Sequence, residues 1–163
     1  TFDKPLYIRI GRSVDPVVHD GEISFEIGKG ICMREGSDGV LFATGTMVKD
    51  AVQVCELLAR HGIRLALYSM HTIKPIDDML IQACMQKYPA IFTLEEHSAN
   101  GGLGSAVGDV LLASGNTQNV IFHKFGFPDT FAPVTGSREY LNASYGLDAD
   151  SVARQIRETL KKA

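Results

Sequence analysis

Glu95, Glu96 and His97 stand side by side at the end of the apolar run 90–94. A carboxylate beside an imidazole is a pairing that general acid–base chemistry uses. If the run is a strand, all three lie at its C-terminal edge, where open α/β sheets place their ligands. No nucleophile, metal-ligand set or further partner carboxylate stands near them in the chain. A structural or interdomain role is therefore the favoured reading for Glu96 and His97. His71, in MHTIKPID, has the same edge position and the same ambiguity, while His19, His61 and His123 show no partner. No two histidines have a metal-binding spacing such as HExxH. The phosphate loop, the nucleophile elbow GxSxG and the zinc signatures are absent.

Next comes a glycine cluster, Gly101, Gly102 and Gly104 around Leu103. It follows a strand pattern and opens a helical one, which is where a dinucleotide fingerprint belongs. Val107, however, occupies the third glycine position. The following apolar run ends at Lys124-Phe125-Gly126, with no acid to take a ribose hydroxyl. The expected use of these glycines is a tight turn and close helix–strand packing. A small regulatory anion at the helix N-terminus is the functional alternative.

These residues need elements to hold them, and the hydrophobic pattern supplies them. Residues 40–44, 64–70, 90–94 and 120–125 are short apolar runs that read as strands buried on both faces. Between them, Val48, Ala51, Val52, Cys55, Leu58 and Ala59 mark one helical face. Ile76, Met79, Leu80, Ala83 and Cys84 mark a second, and Leu103, Ala106, Val107, Val110 and Leu111 a third. Gly62 and Gly115 sit where left-handed C-terminal caps belong. Asp77 and Asp78 suit the positive start of the second helix. Residues 137–144 carry a short helical pattern. Asp148 reads as the N-cap of a last helix with Val152, Ala153, Ile156 and Leu160 on one side. Strand–helix alternation with crossovers of this length requires parallel strands covered by helices on both faces. Residues 31–34 add a strand beside residue 40, antiparallel because only a short SDG turn separates the two. PLYIRIGR, ahead of this unit, alternates Leu6, Ile8 and Ile10 with Tyr7, Arg9 and Gly11, as a strand would.

With 163 residues the chain fits one domain, and 45% hydrophobic with 21% charged residues is a globular balance. A net charge of −3 gives no electrostatic case for nucleic acid or an anionic membrane. No apolar run approaches the ~20 residues of a membrane span, and no secretory signal is visible. Cys32, Cys55 and Cys84 are widely spaced among apolar neighbours, which suits reduced, buried thiols and a cytoplasmic setting.

Three stretches together resemble the C-terminal domain of the transketolase family: LFATGTMVKDAVQVCELLARHGI, MHTIKPID and FTLEEHSANGGLGSAVGDVL. FGFPDTF and YGLDADSV also have counterparts there. The resemblance implies a Rossmann-like α/β/α domain with a mostly parallel five-stranded sheet and one antiparallel strand. It assigns residues 1–20 to the closing strand of a preceding pyrimidine-binding domain plus a linker, and residues 21–163 to the C-terminal domain. The implied parent is a homodimeric enzyme that moves two-carbon ketol units between sugar phosphates, using thiamin diphosphate and a divalent cation. In the family both are held by the N-terminal and pyrimidine-binding domains, so this chain is expected to bind neither and to be inactive alone. Its implied tasks are dimer support and regulation, with Glu96, His97, Gly101, Gly102 and Gly104 as regulatory or interdomain positions. Arg12 matches an arginine that grips the sugar phosphate, and a guanidinium fork suits that anion; Arg9 reads as a surface or structural residue. A deoxyxylulose phosphate synthase or a 2-oxoacid dehydrogenase β subunit shares the architecture and is the alternative enzyme reading. A free-standing regulatory module is the alternative of another class.

Overall fold

Each of the four apolar runs forms a strand of a single sheet. The computed structural model describes residues 3–11, 17–19, 21–115 and 120–161. In chain order the elements are β1 (Ile31–Arg34), β2 (Gly39–Ala43), α1 (Met47–Ala59), β3 (Leu65–Ser69), α2 (Asp78–Lys87), β4 (Ala90–Ser98), α3 (Leu103–Ala113), β5 (Ile121–Phe127), α4 (Arg138–Ser144) and α5 (Ala149–Lys161). The sheet runs β1-β3-β2-β4-β5. β2, β3, β4 and β5 pair in parallel, and β1 is antiparallel to β3.

Period-2 alternation divides the buried side chains between two cores. Leu41, Leu67, Phe92 and Leu94 face α1 and α5, whereas Val40, Phe42, Ala66 and Ile91 face α2 and α3. Strands with helices on both faces must be apolar throughout, and all five residues of β2 are indeed buried. Asp148, Gly62 and Gly115 cap where their residue types put them, and Asp77, expected only to suit the helix dipole, is itself the N-cap of α2. Asp77 accepts the amide of Leu80 and Asp148 that of Ser151, while Gly62 and Gly115 take φ of +78° and +68°.

Three expectations change. β1 is antiparallel, but its neighbour is β3, not β2. Both sides of β2 are taken by parallel strands, so β1 pairs with the outer edge of β3 instead. The SDG turn accordingly docks on the entrance to β3: the amides of Ser37 and Asp38 donate to the Arg64 carbonyl at 2.9 and 3.0 Å. Cys32 is exposed, unlike Cys55 and Cys84, because alternate residues of this edge strand face solvent. On α2, Met79 is 67% exposed and Ala83 is also exposed. Both possible stripes satisfy a 3.6-residue period, and the fold takes the one that buries Ile81 and Cys84 and continues to Tyr88. Residues 4–11 pair with no strand of this sheet; their alternating apolar side chains stay uncovered, with Ile8 69% and Ile10 84% exposed.

Candidate functional site

The C-terminal ends of the parallel strands gather the residues singled out in the sequence. The pleat sends consecutive glutamates of β4 to opposite faces. Glu95, 1% exposed, turns toward α3. Its two carboxylate oxygens each accept one amide, from Leu103 and from Gly104, both at 2.8 Å. A charge-assisted pair of this kind at the positive end of a helix is strongly favourable.

The glycines make room for that carboxylate. Gly101 takes φ +81° and donates its amide to the Ser105 hydroxyl at 2.9 Å. A Cβ on Gly102 would land on the Glu95 carboxylate itself. One on Gly104 would come within 2.8 Å of the Thr93 hydroxyl and 2.6 Å of the Lys124 side chain. Turn geometry and close packing thus account for all three. The crevice also fails to fit a diphosphate, because the Leu103 and Gly104 amides that would hold one already hold Glu95.

On the other face, Glu96 accepts the hydroxyl of Thr46, the N-cap residue of α1, at 2.5 Å. Arg138, at the start of α4, lies 3.8 Å from Glu96 and 3.5 Å from Asp50 in the first turn of α1. Burial pushes the Asp50 carboxyl above its usual range, and Arg138 and Lys49 pull it partly back. Two carboxylates around one guanidinium form a closed electrostatic bracket between α1, β4 and α4. Sequence reasoning found Glu96 but missed Thr46, Asp50 and Arg138; the 88-residue separation of Asp50 and Arg138 leaves no local signal.

His97 accepts a hydrogen bond from the Arg9 guanidinium at 2.6 Å, through Nδ1. Arg9 therefore has a partner at the rim, in keeping with a structural role. Arg12 lies outside the described residues. His71, just past β3, has Nδ1 2.9 Å from the Thr72 hydroxyl and its ring 4.4 Å from that of Phe25. Burial, and secondarily the neighbouring His19, lower its pKa, and burial alone lowers that of His123. Among the described residues, no three His, Cys, Asp or Glu side chains come together as metal ligands. No helix there is long and apolar enough to cross a membrane.

The two histidines make stability pH-dependent with a definite sign. A histidine whose folded pKa is depressed leaves the unfolded chain binding more protons below the ordinary value of 6.5. Their contribution is full above that pH and is lost as pH falls through the lower folded values. Denaturation midpoints are expected to drop from pH 7 to pH 5, and less steeply in His71→Asn. An equal slope in the variant would remove His71 from the account.

The family profile described as "Transketolase, C-terminal domain" matches residues 28–152. The chain belongs to that family. A putative transketolase C-terminal section from Methanocaldococcus jannaschii is 36% identical over 163 residues, covering 99% of this chain and 50% of the relative. A 6-deoxy-6-sulfo-D-fructose transketolase subunit from a Clostridium species is 34% identical over 98% of this chain and 48% of its own length. A 1-deoxy-D-xylulose-5-phosphate synthase from Syntrophotalea carbinolica is 36% identical over 157 residues, 24% of that enzyme. The chain thus spans half or less of these relatives. Among solved structures, a split-gene transketolase described as an inactive beta4 tetramer superposes with a TM-score of 0.81 at 35% identity, over 92% of this chain and 48% of that one. A Pichia stipitis transketolase, at 18% identity and a TM-score of 0.58, shares the fold.

Proposed function

We propose that this chain is the C-terminal domain of a thiamin diphosphate-dependent transketolase built from separate sections, and that it supports subunit assembly without carrying the chemistry. The match to a C-terminal section over 99% of this chain carries this reading. The filled crevice supports it as well, since Glu95 leaves no cradle for the cofactor's diphosphate. Cofactor, divalent cation and ketol transfer then belong to the N-terminal and pyrimidine-binding domains. Residues 1–20 are read as the closing strand of the latter plus a linker, in line with the uncovered side chains of Leu6, Ile8 and Ile10. The expected setting is a cytoplasmic homodimer.

Calorimetry with thiamin diphosphate and magnesium should give no saturable signal with this chain alone. Ketol transfer should appear only when the remaining sections are added. A tight signal from the isolated chain would overturn the proposal. In the assembled enzyme, Arg12→Ala is expected to raise KM for phosphorylated sugars by the equivalent of about 1.5–3 kcal/mol, the worth of a charged hydrogen bond. Equal losses on unphosphorylated substrates would make Arg12 structural. The comparable identity to a deoxyxylulose phosphate synthase favours a second reading. Formation of 1-deoxy-D-xylulose 5-phosphate by the assembled enzyme, in place of ketol transfer, would select it.

A further inference from the structure

On the face of the sheet that carries α2 and α3, the last strand is covered from one side only. α3 packs on β4 and, flank to flank, on α2. Its outer flank meets the edge strand β5 with no further helix beyond it among the described residues. Gly104, Gly108 and Leu112, four residues apart, lie along that flank. Val120, Phe122 and Lys124, alternate residues of one extended run, lie along the strand. Between the two rows is a half-open cavity of about 360 Å³, inside the range of roughly 300–1,000 Å³ that small-molecule sites occupy. Gly108 brings the helix down onto its floor, since a Cβ there would stand 3.2 Å from the Phe122 ring.

Two groups at the Lys124 end lack the partner that their burial calls for. The half-buried Lys124 ammonium donates to the Ala99 carbonyl at 2.8 Å, yet no carboxylate among the described residues lies within 4.0 Å of it. Thr93, which pairs in register with Lys124, is fully buried, and its hydroxyl has no hydrogen-bond partner. That hydroxyl lies against the wall shared by Gly104 and the Lys124 stem, for a Cβ on Gly104 would meet both. A cation beside apolar walls and an orphaned buried donor each cost free energy until an anion or acceptor answers them. Asp109 stands exposed at the mouth of the cavity. Its charge tolerates one incoming negative charge at Lys124 and opposes two.

We propose that this cavity binds a small monocarboxylate with an aryl or short aliphatic body. The carboxylate sits on Lys124 and the body lies against Leu112, Val120 and Phe122. When the flexible Lys124 stem swings toward the anion it uncovers the Thr93 hydroxyl, which then donates to the second carboxylate oxygen. A sugar phosphate suits the cavity poorly, because its two charges would face Asp109 and its hydroxyls the apolar walls. The site lies across the sheet from the bracket of Glu96, Asp50 and Arg138.

Calorimetric titration of the full-length polypeptide with phenylacetate, without cofactor or sugar, tests this. Binding should saturate at about millimolar concentrations or below. 2-Phenylethanol, the same body without the charge, should bind about tenfold more weakly, the worth of a charge-assisted contact. Phenyl phosphate should also bind more weakly than phenylacetate. Lys124→Met should bring phenylacetate down to the level of the alcohol and leave the alcohol itself unchanged. Leu112→Ala, at a position 73% exposed and so tolerated by the fold, should weaken acid and alcohol alike. In the unmodified protein, phenylacetate should slow acetylation of Lys124, read by mass spectrometry, and not that of Lys87. Absence of saturation, equal affinities for acid and alcohol, or full phenylacetate affinity in Lys124→Met would overturn the proposal. Tighter binding of phenyl phosphate would overturn it as well, by making the site one for phosphate.

Discussion

Replacing Glu95 by alanine is expected to lower the unfolding free energy by about 3 kcal/mol, measured by urea denaturation. The carboxylate accepts two amides at 2.8 Å inside the protein. Its removal leaves both without a partner, and a buried unsatisfied donor costs roughly 1–3 kcal/mol. The first turn of α3 also loses the anion at its positive end. Glu95→Gln keeps one acceptor oxygen and should fall between. Gly102→Ala should reproduce much of the loss, because its new methyl would occupy the carboxylate's position. The two changes should then be far from additive when combined, as expected of groups that share one contact. A loss below about 1 kcal/mol for Glu95→Ala would mean that water or another side chain caps α3 in its place.

Gly36→Ala should be comparably severe, at about 3 kcal/mol, the upper end of what overpacking usually costs. A Cβ there would run into the backbone of Leu65 and Ala66 and lie 2.6 Å from the Arg64 carbonyl. Backbone cannot swing aside as the tip of a side chain can, so β1 and its turn would have to lift from β3. Hydrogen exchange should show β1 opening first. Gly62→Ala is the matched control: a Cβ there meets nothing within 4 Å. Only the left-handed backbone resists it, by roughly 1–2 kcal/mol. Equal losses in the two variants would remove the steric explanation.

Local signals in this chain were legible and remote ones were not. Apolar runs, the cap residue Asp148, and the left-handed glycines Gly62 and Gly115 each act within a few positions, and each appears where its chemistry placed it. The neighbour of β1 was misread because the choice was made by β3 and β4 competing for β2, which the SDG turn does not encode. The buried face of α2 was ambiguous because two stripes fit one period, and only packing against the sheet picks Ile81 over Met79. At the rim, Glu96 and His97 stood out as residue types. Their partners Thr46, Arg138 and Arg9 lie 50, 42 and 88 positions away, by subtraction of residue numbers. The glycines attracted attention for the anion they could bind, yet the anion proved to be Glu95, six residues before Gly101.

The glutamate doublet has a consequence for how β4 finds its place. A strand buried on both faces gains little register information from its apolar residues, since sliding it by one leaves every position apolar still. From Ala90 to Leu94, β4 is such a strand apart from Thr93. Glu95 and Glu96 break that degeneracy. Each must meet a different helix, one through the amides that open α3 and the other through the hydroxyl that opens α1. Moved along by a single residue, the strand would turn Glu96 toward α3 and bury Glu95 opposite Arg138, out of step with both. Two adjacent carboxylates thus act as an index mark, fixing an interior strand in its slot from both layers at once.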